Sequence, residues 1–159
     1  LFPYTTLFRS VICHVNAMRE EYSKRWTSKT RPFPGISEML DECAGAGLKL
    51  AVLTNKLEDS AIELIDRLMP GNHFDFIRGA TPRFPKKPDP AGALLLIERM
   101  NLRAPDCAYI GDMPVDMETA ISAGMYALGA LWGYRTADEL FAAGAQAVLR
   151  NPADFLPWL

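Results

Sequence analysis

The chain has 159 residues, 49% apolar and 23% charged, with 17 Lys and Arg against 19 Asp and Glu. That length supplies one domain with a sizeable core, and the balance is that of a globular protein, not a disordered tail. A net charge of −2 excludes the basic surface of a nucleic-acid or acidic-membrane binder, and no apolar run is long enough for a membrane span or a signal peptide.

Residues 1–10, LFPYTTLFRS, have no helical period, no cap and no targeting chemistry. The string is what a common sequencing-adapter oligonucleotide encodes in one reading frame, and no initiator Met precedes it. We therefore expect 1–10 to be non-native, with natural sequence resuming near Val11. The plainer reading is an edge strand using Tyr4, Thr6 and Phe8. Residues 11–30 space Val15, Met18, Tyr22 and Trp26 three and four apart, which predicts one amphipathic helix. KTRPFPG, from Lys29 to Gly35, is a linker, because its prolines disfavour both helix and inner strand.

Ile36, Met39, Leu40 and Cys43 mark a helix that ends near Gly45 and Gly47. Leu48 to Leu53, LKLAVL, reads as a short buried strand closed by Thr54 and Asn55. A helix from about Glu58 to Leu68 follows, with Ala61, Leu64, Ile65 and Leu68 facing inward, and Pro70-Gly71 breaks it. Glu58 and Asp59 read as acidic residues favoured at that helix's start. Phe74 to Ile77 is the next short strand, and Thr81 to Pro88 a basic, proline-rich loop. Asp89 is expected to cap a helix that Pro90 opens. Cys107 to Ile110 is a buried strand, Gly111 a tight turn, and Pro114 the first turn of another helix. Tyr126 to Leu131 is a strand, Thr136 and Glu139 form a capping box for a helix to about Ala143, and Ala147 to Leu149 is a last strand. Asn151-Pro152 starts a terminal helical turn. Strands alternating with helices predict an α/β fold with a doubly wound parallel sheet.

Cys13, Cys43 and Cys107 are odd in number and lack metal-site spacing, so reduced thiols are expected. A reducing, cytoplasmic setting is the default that follows. His14 and His73 have no partnered spacing and read as surface or structural residues.

The chemistry gathers where strands end. Thr54 and Asp112 both follow buried strands and are expected on one edge of the sheet, with Asp116 four residues along the new helix. Lys87 lies in KKPDP, just before a helix N-terminus. A hydroxyl, an ammonium and two carboxylates around one crevice suit a phosphate ester: donors for phosphoryl oxygens, a cation for developing charge, carboxylates for Mg²⁺. Each piece has a plainer meaning alone. Thr54-Asn55 reads as a cap, Lys86 and Lys87 as a solvated pair, and G-D-x-x-x-D as a helix start. The combination and its chain order carry the reading.

LAVLTN, KKPDP and YIGDMPVDMETA, in that order, resemble the second, third and fourth motifs of the haloacid dehalogenase-like phosphatases. The resemblance runs from about Val11 to the C-terminus. PFPGI, AISAG and GALWGYR are similar to its phosphoglycolate phosphatase branch. The resemblance implies that Thr54 and Asn55 bind the phosphoryl group and that Lys87 stabilises it together with the nucleophile. It implies that Asp112 ligates Mg²⁺ directly, and that Asp116 supports the metal through water or hydrogen bonds. A small phosphorylated substrate is the implied partner.

The family's first motif, D-x-D-x-T, appears nowhere in this chain. It supplies the nucleophilic and acid/base aspartates, and without it there is no aspartyl-phosphate route. In the family it lies on a central strand ahead of a helical cap. The expectation is therefore a core without its first, central strand and without most of the cap: 11–30 as the cap's remnant and 31–159 as an incomplete core. Two other readings stand beside the phosphatase. One is a relative that binds a phosphorylated ligand without turnover; the other is a sugar-phosphate phosphatase or phosphomutase. A phospho-receiver domain fits poorly, since its Lys-Pro follows the acidic pair, whereas Lys87-Pro88 precedes Asp112.

Overall fold

The computed structural model describes residues 30–71 and 74–159. The expectations for 1–10 and 11–29, including the adapter-like segment, the edge strand and the amphipathic helix, lie outside the described residues, as do Cys13, His14 and His73.

Helix α1, Ile36–Gly45, buries Met39, Leu40 and Cys43, the positions that the three-and-four spacing selects. They pack with Leu50, Phe74 and Phe155 in one core cluster. Strand β1 spans Leu50–Leu57 and pairs in parallel with β2, Phe74–Ala80. Between them lies α2, Glu58–Leu68, which buries Ala61 and Ile65. Helix α3, Ala91–Arg99, follows the proline-rich loop. Asp89 Oδ1 accepts from Ala91 N at 2.9 Å, but Pro90, not Asp89, holds the cap position.

Strand β3, Ala108–Gly111, leads through Asp112 into α4, Pro114–Ser122. It pairs in parallel with β4, Tyr126–Ala130, which pairs in parallel with β5, Ala147–Leu149. Helix α5, Ala137–Ala142, carries the expected capping box: Thr136 Oγ1 accepts from Glu139 N, and Glu139 Oε2 accepts from Thr136 N. A 3₁₀ segment, Pro152–Trp158, ends the chain, with Trp158 tilted against Tyr126. Met117, Ala120, Ala127, Leu140 and Ala145 form the second core cluster, between α4, α5 and the β3–β5 sheet.

Every described strand pair is parallel, and the α/β class holds. The described strands fall into two sets, β1–β2 and β3–β4–β5. Among the described residues no strand joins β1 to β3, the place where the expected core lacks its central strand. Several strand boundaries differ from the sequence reading, and the ends of β1 and β2 shift furthest. Strand β1 does not close at Thr54-Asn55 but runs on to Leu57, because pairing with β2 resumes at Leu57↔Ala80 after an irregularity that begins at Leu53. It is also half-buried instead of buried from Leu50 to Leu53, since its described partner lies on one side only. Strand β2 continues past Ile77 to Ala80 for the same pairing.

Candidate active site

The irregularity in β1 decides how its C-terminal end presents side chains, since a bulge leaves residues unpaired and turns them away from the ladder. Thr54, Asn55 and Lys56 fall within it. Thr54 Oγ1 accepts from Lys56 N at 3.1 Å, so the hydroxyl supports the local turn. Asn55 reaches across to the proline-rich loop. Its Nδ2 donates to the Lys87 carbonyl at 3.1 Å, and its Oδ1 accepts from Lys87 N at 2.8 Å. The amide thus pairs with both backbone groups of one residue, and its side chain holds Lys87 in place. The resemblance assigns Asn55 to the phosphoryl group; here both polar atoms of its side chain are already engaged.

Lys87 in turn reaches the backbone of β1. Its Nζ donates to the Leu53 carbonyl at 3.3 Å and to Asp116 Oδ1 at 2.5 Å. The two side chains are 13% and 6% exposed, so this ion pair is shielded from solvent. Asp116 Oδ2 accepts from Met113 N at 3.1 Å, closing the first turn of α4. Gly111 makes room for this carboxylate: a Cβ there would overlap the Asp116 side chain. Tyr109 completes the group. Its hydroxyl donates to the Leu53 carbonyl at 3.4 Å, and the Lys87 ammonium lies 5.9 Å from its ring centre. Burial first, then the Asp116 charge, push the Tyr109 phenol up, so it stays neutral and donating.

Among the described residues, Asp112 makes no hydrogen bond to this cluster. Its Oδ2 accepts from Tyr134 N, at 3.1 Å, in the loop after β4. Its Oδ1 accepts no hydrogen bond from another described residue. The structure therefore joins Asn55, Lys87 and Asp116 directly, and Thr54 lines a small crevice with Asn55, Lys87 and Arg78. No hydrogen bond among the described residues links Asp112 to Lys87 or Thr54.

Mg²⁺ takes oxygen donors, commonly one or two carboxylates with water and substrate phosphate completing the shell. Asp112 offers a carboxylate oxygen with no hydrogen bond from another described residue, and Asp116 a second carboxylate already held by Lys87. That donor set fits such an ion in part. No group of three His, Cys, Asp or Glu gathers among the described residues.

Sequence reasoning missed three contributors. Tyr109 reads as one more apolar strand residue. Arg78 pairs with Glu58 at 3.0 Å and lies 4.4 Å from the Phe84 ring centre, which ties the proline-rich loop to α2. Glu58 also accepts from Gly79 N at 3.2 Å, so it locks α2 to β2 where the sequence suggests only a helix-start charge. The turn at Gly133-Tyr134 had one signal, the string GALWGYR, with no role attached.

The family model described as haloacid dehalogenase-like hydrolase matches residues 4–130. The probable phosphatase IndB of Dickeya dadantii is 38% identical over 117 residues, which make up 74% of this chain and 51% of that protein. The phosphoglycolate phosphatase of Aquifex aeolicus is 33% identical over 121 residues, 76% of this chain and 57% of that protein. The chain thus spans little more than half the length of these curated relatives. Among solved structures, a provisionally named phosphoglycolate phosphatase from Lactobacillus delbrueckii subsp. bulgaricus is similar, with a TM-score of 0.83 at 29% identity. That match covers 88% of this chain and 58% of the other. A provisionally named β-phosphoglucomutase from Thermotoga maritima gives 0.78 at 28% identity, covering 88% and 65%. No helix among the described residues is long and apolar enough to cross a membrane. From the family match and these shared folds, the chain belongs to the haloacid dehalogenase-like hydrolases.

Proposed function

We propose that the protein carrying this chain is a Mg²⁺-dependent phosphatase of small phosphate monoesters, with phosphoglycolate the first substrate to try. The observation that carries this reading is the placement of Lys87. Asn55 fixes its backbone, and the Leu53 carbonyl and Asp116 fix its ammonium, where the regular pairing of β1 with β2 stops. A held cation there suits a transferring phosphoryl group, whose charge develops on its oxygens. Thr54, beside it, supplies a hydroxyl and a backbone N–H for those oxygens. Asp112 and Asp116 would hold Mg²⁺, which supplies further charge stabilisation when bound.

The chain contains no D-x-D-x-T, so in this reading it does not turn over substrate by itself. Residues 1–10 remain assigned to a non-native segment, 11–30 to a remnant of the cap and 31–159 to an incomplete core, in a reducing, cytoplasmic protein. Long-read sequencing of the source DNA upstream of the Val11 codon tests this directly. An in-frame D-x-D-x-T a cap's length upstream supports it. A genuine start codon before Leu1 leaves the nucleophile truly absent, and phosphate-ligand binding without turnover then replaces phosphatase activity. In the full-length protein, Asp112→Asn is expected to abolish Mg²⁺-dependent turnover, and near-normal activity would refute its metal role. A sugar phosphate is the second substrate class, favoured by the similarity to the Thermotoga maritima protein.

A further inference from the structure

We propose that the turn at Gly133-Tyr134 is a backbone clamp that aims the Asp112 carboxylate, making Gly133 a positioning residue for cation binding. The proposal rests on the metal role given to Asp112 above.

Three observations lead to it. The Tyr134 N–H donates to Asp112 Oδ2 at 3.1 Å, and no other hydrogen bond from a described residue reaches this carboxylate. That single bond occupies one oxygen and leaves Oδ1 as the available donor, the arrangement a cation ligand needs. Next, Gly133 lies against Asp112: a Cβ added there would overlap the Cβ, Cγ and Oδ2 of the aspartate. Its φ is outside the left-handed region. Backbone conformation therefore does not call for glycine here, and space for Asp112 does.

The third observation concerns what holds the turn. Gly133 N donates to the Ala130 carbonyl at 3.4 Å, so the turn is tied to the end of β4. Strand β4 in turn is in register with β3, Gly129 opposite Gly111, one residue before Asp112. Clamp and carboxylate are thus carried by two paired strands, a rigid base that keeps their separation fixed. The Tyr134 side chain, 85% exposed, takes no part. The amide does the holding, so the tyrosine's identity is incidental to it.

The test uses the full-length protein, with Mn²⁺ as the cation probe, and two readouts. The first is hydrogen exchange of the Tyr134 amide without metal. We expect protection of at least tenfold over its intrinsic rate, lost in Asp112→Ala. The second is Mn²⁺ affinity by paramagnetic relaxation. Gly133→Ala is expected to weaken it at least tenfold while the metal-free melting temperature stays within a few degrees. Should Gly133→Ala fail to fold, Tyr134→Pro removes the donor without adding a Cβ at 133, and the same loss is expected.

An unprotected Tyr134 amide in a protein that binds Mn²⁺ overturns the clamp and spares the metal role. A protected amide in a protein that binds no Mn²⁺ overturns the metal role of Asp112, and the clamp's purpose with it. Unchanged Mn²⁺ affinity in folded Gly133→Ala also overturns the proposal.

Discussion

Asp116 is buried, Lys87 is the cation that pairs with it among the described residues, and the consequence is lopsided. Removing one member of a shielded ion pair leaves the other charged, desolvated and unpaired, which costs about 3–5 kcal/mol. Lys87→Met is therefore expected to destabilise the protein by about that amount. Adding Asp116→Asn should restore much of the loss, because the amide still accepts from Met113 N and carries no charge. Urea unfolding of the two single variants and the double variant measures this. Equal losses that simply add would show that the pair is not coupled. Tyr109 gives a pH test at the same site. Its phenol is raised above the ordinary value of 10.0 by burial and by Asp116. A raised folded pKa means that the contribution is fully present below about pH 10 and is lost as pH climbs above it. Tyr109→Phe should flatten that alkaline decline in a pH series of thermal melts. How legible these residues were depends on reach. Lys87 and Asp116 stand out because each sits in a short local string. The use of Asn55 was illegible, since its two bonds go to the backbone of a residue 32 positions away and nothing beside Asn55 signals that partner.

Local signals served the start of α5 well. Thr136 and Glu139 sit three apart before an apolar run, and the structure closes both reciprocal bonds. Thr136→Ala should cost about 1 kcal/mol, the usual loss for a capping hydroxyl, read from the chemical denaturation midpoint. Strand ends were less legible. A run such as LKLAVL says that a strand exists, but its end is set by the neighbour it pairs with, and that neighbour is chosen by the fold. Strand β1 accordingly outlasts its apolar run, regaining β2 at Leu57↔Ala80. The extension matters because Glu58, immediately after it, then faces Arg78 and the Gly79 N–H. A helix-start glutamate thereby becomes the tie between α2, β2 and the loop that carries Lys87. Glu58→Ala should cost about 1.5–3 kcal/mol, the range for a hydrogen bond to a charged group. It should also raise proteolysis within Thr81 to Pro88, since Arg78, once released, no longer anchors Phe84. Unchanged cleavage there would separate Glu58 from the loop.

At the scale of the whole chain, the two strand sets raise the question of what the molecule lacks. Each described strand of the inner pair, β1 and β3, has a partner on one side: β2 for the first and β4 for the second. Side chains take up one of the polar groups at their facing ends, the Leu53 carbonyl, which accepts from both Lys87 Nζ and Tyr109 OH. A strand bearing D-x-D-x-T between β1 and β3 would satisfy the backbone groups along both edges. Each such group left buried without a partner costs about 1–3 kcal/mol. A domain of this size has a net stability of only about 5–15 kcal/mol, so a few unpaired groups consume most of it. Open edges also template pairing between copies. The 159-residue chain is therefore expected to melt broadly, at a temperature that shifts with protein concentration, and to scatter light on heating. Joining it in frame to a segment that contains the first motif should sharpen the transition and remove the concentration dependence. A single cooperative, reversible melt of the chain without that segment would mean that its own residues already pair these edges. The expectation of a missing central strand would then fall, whatever the activity proves to be.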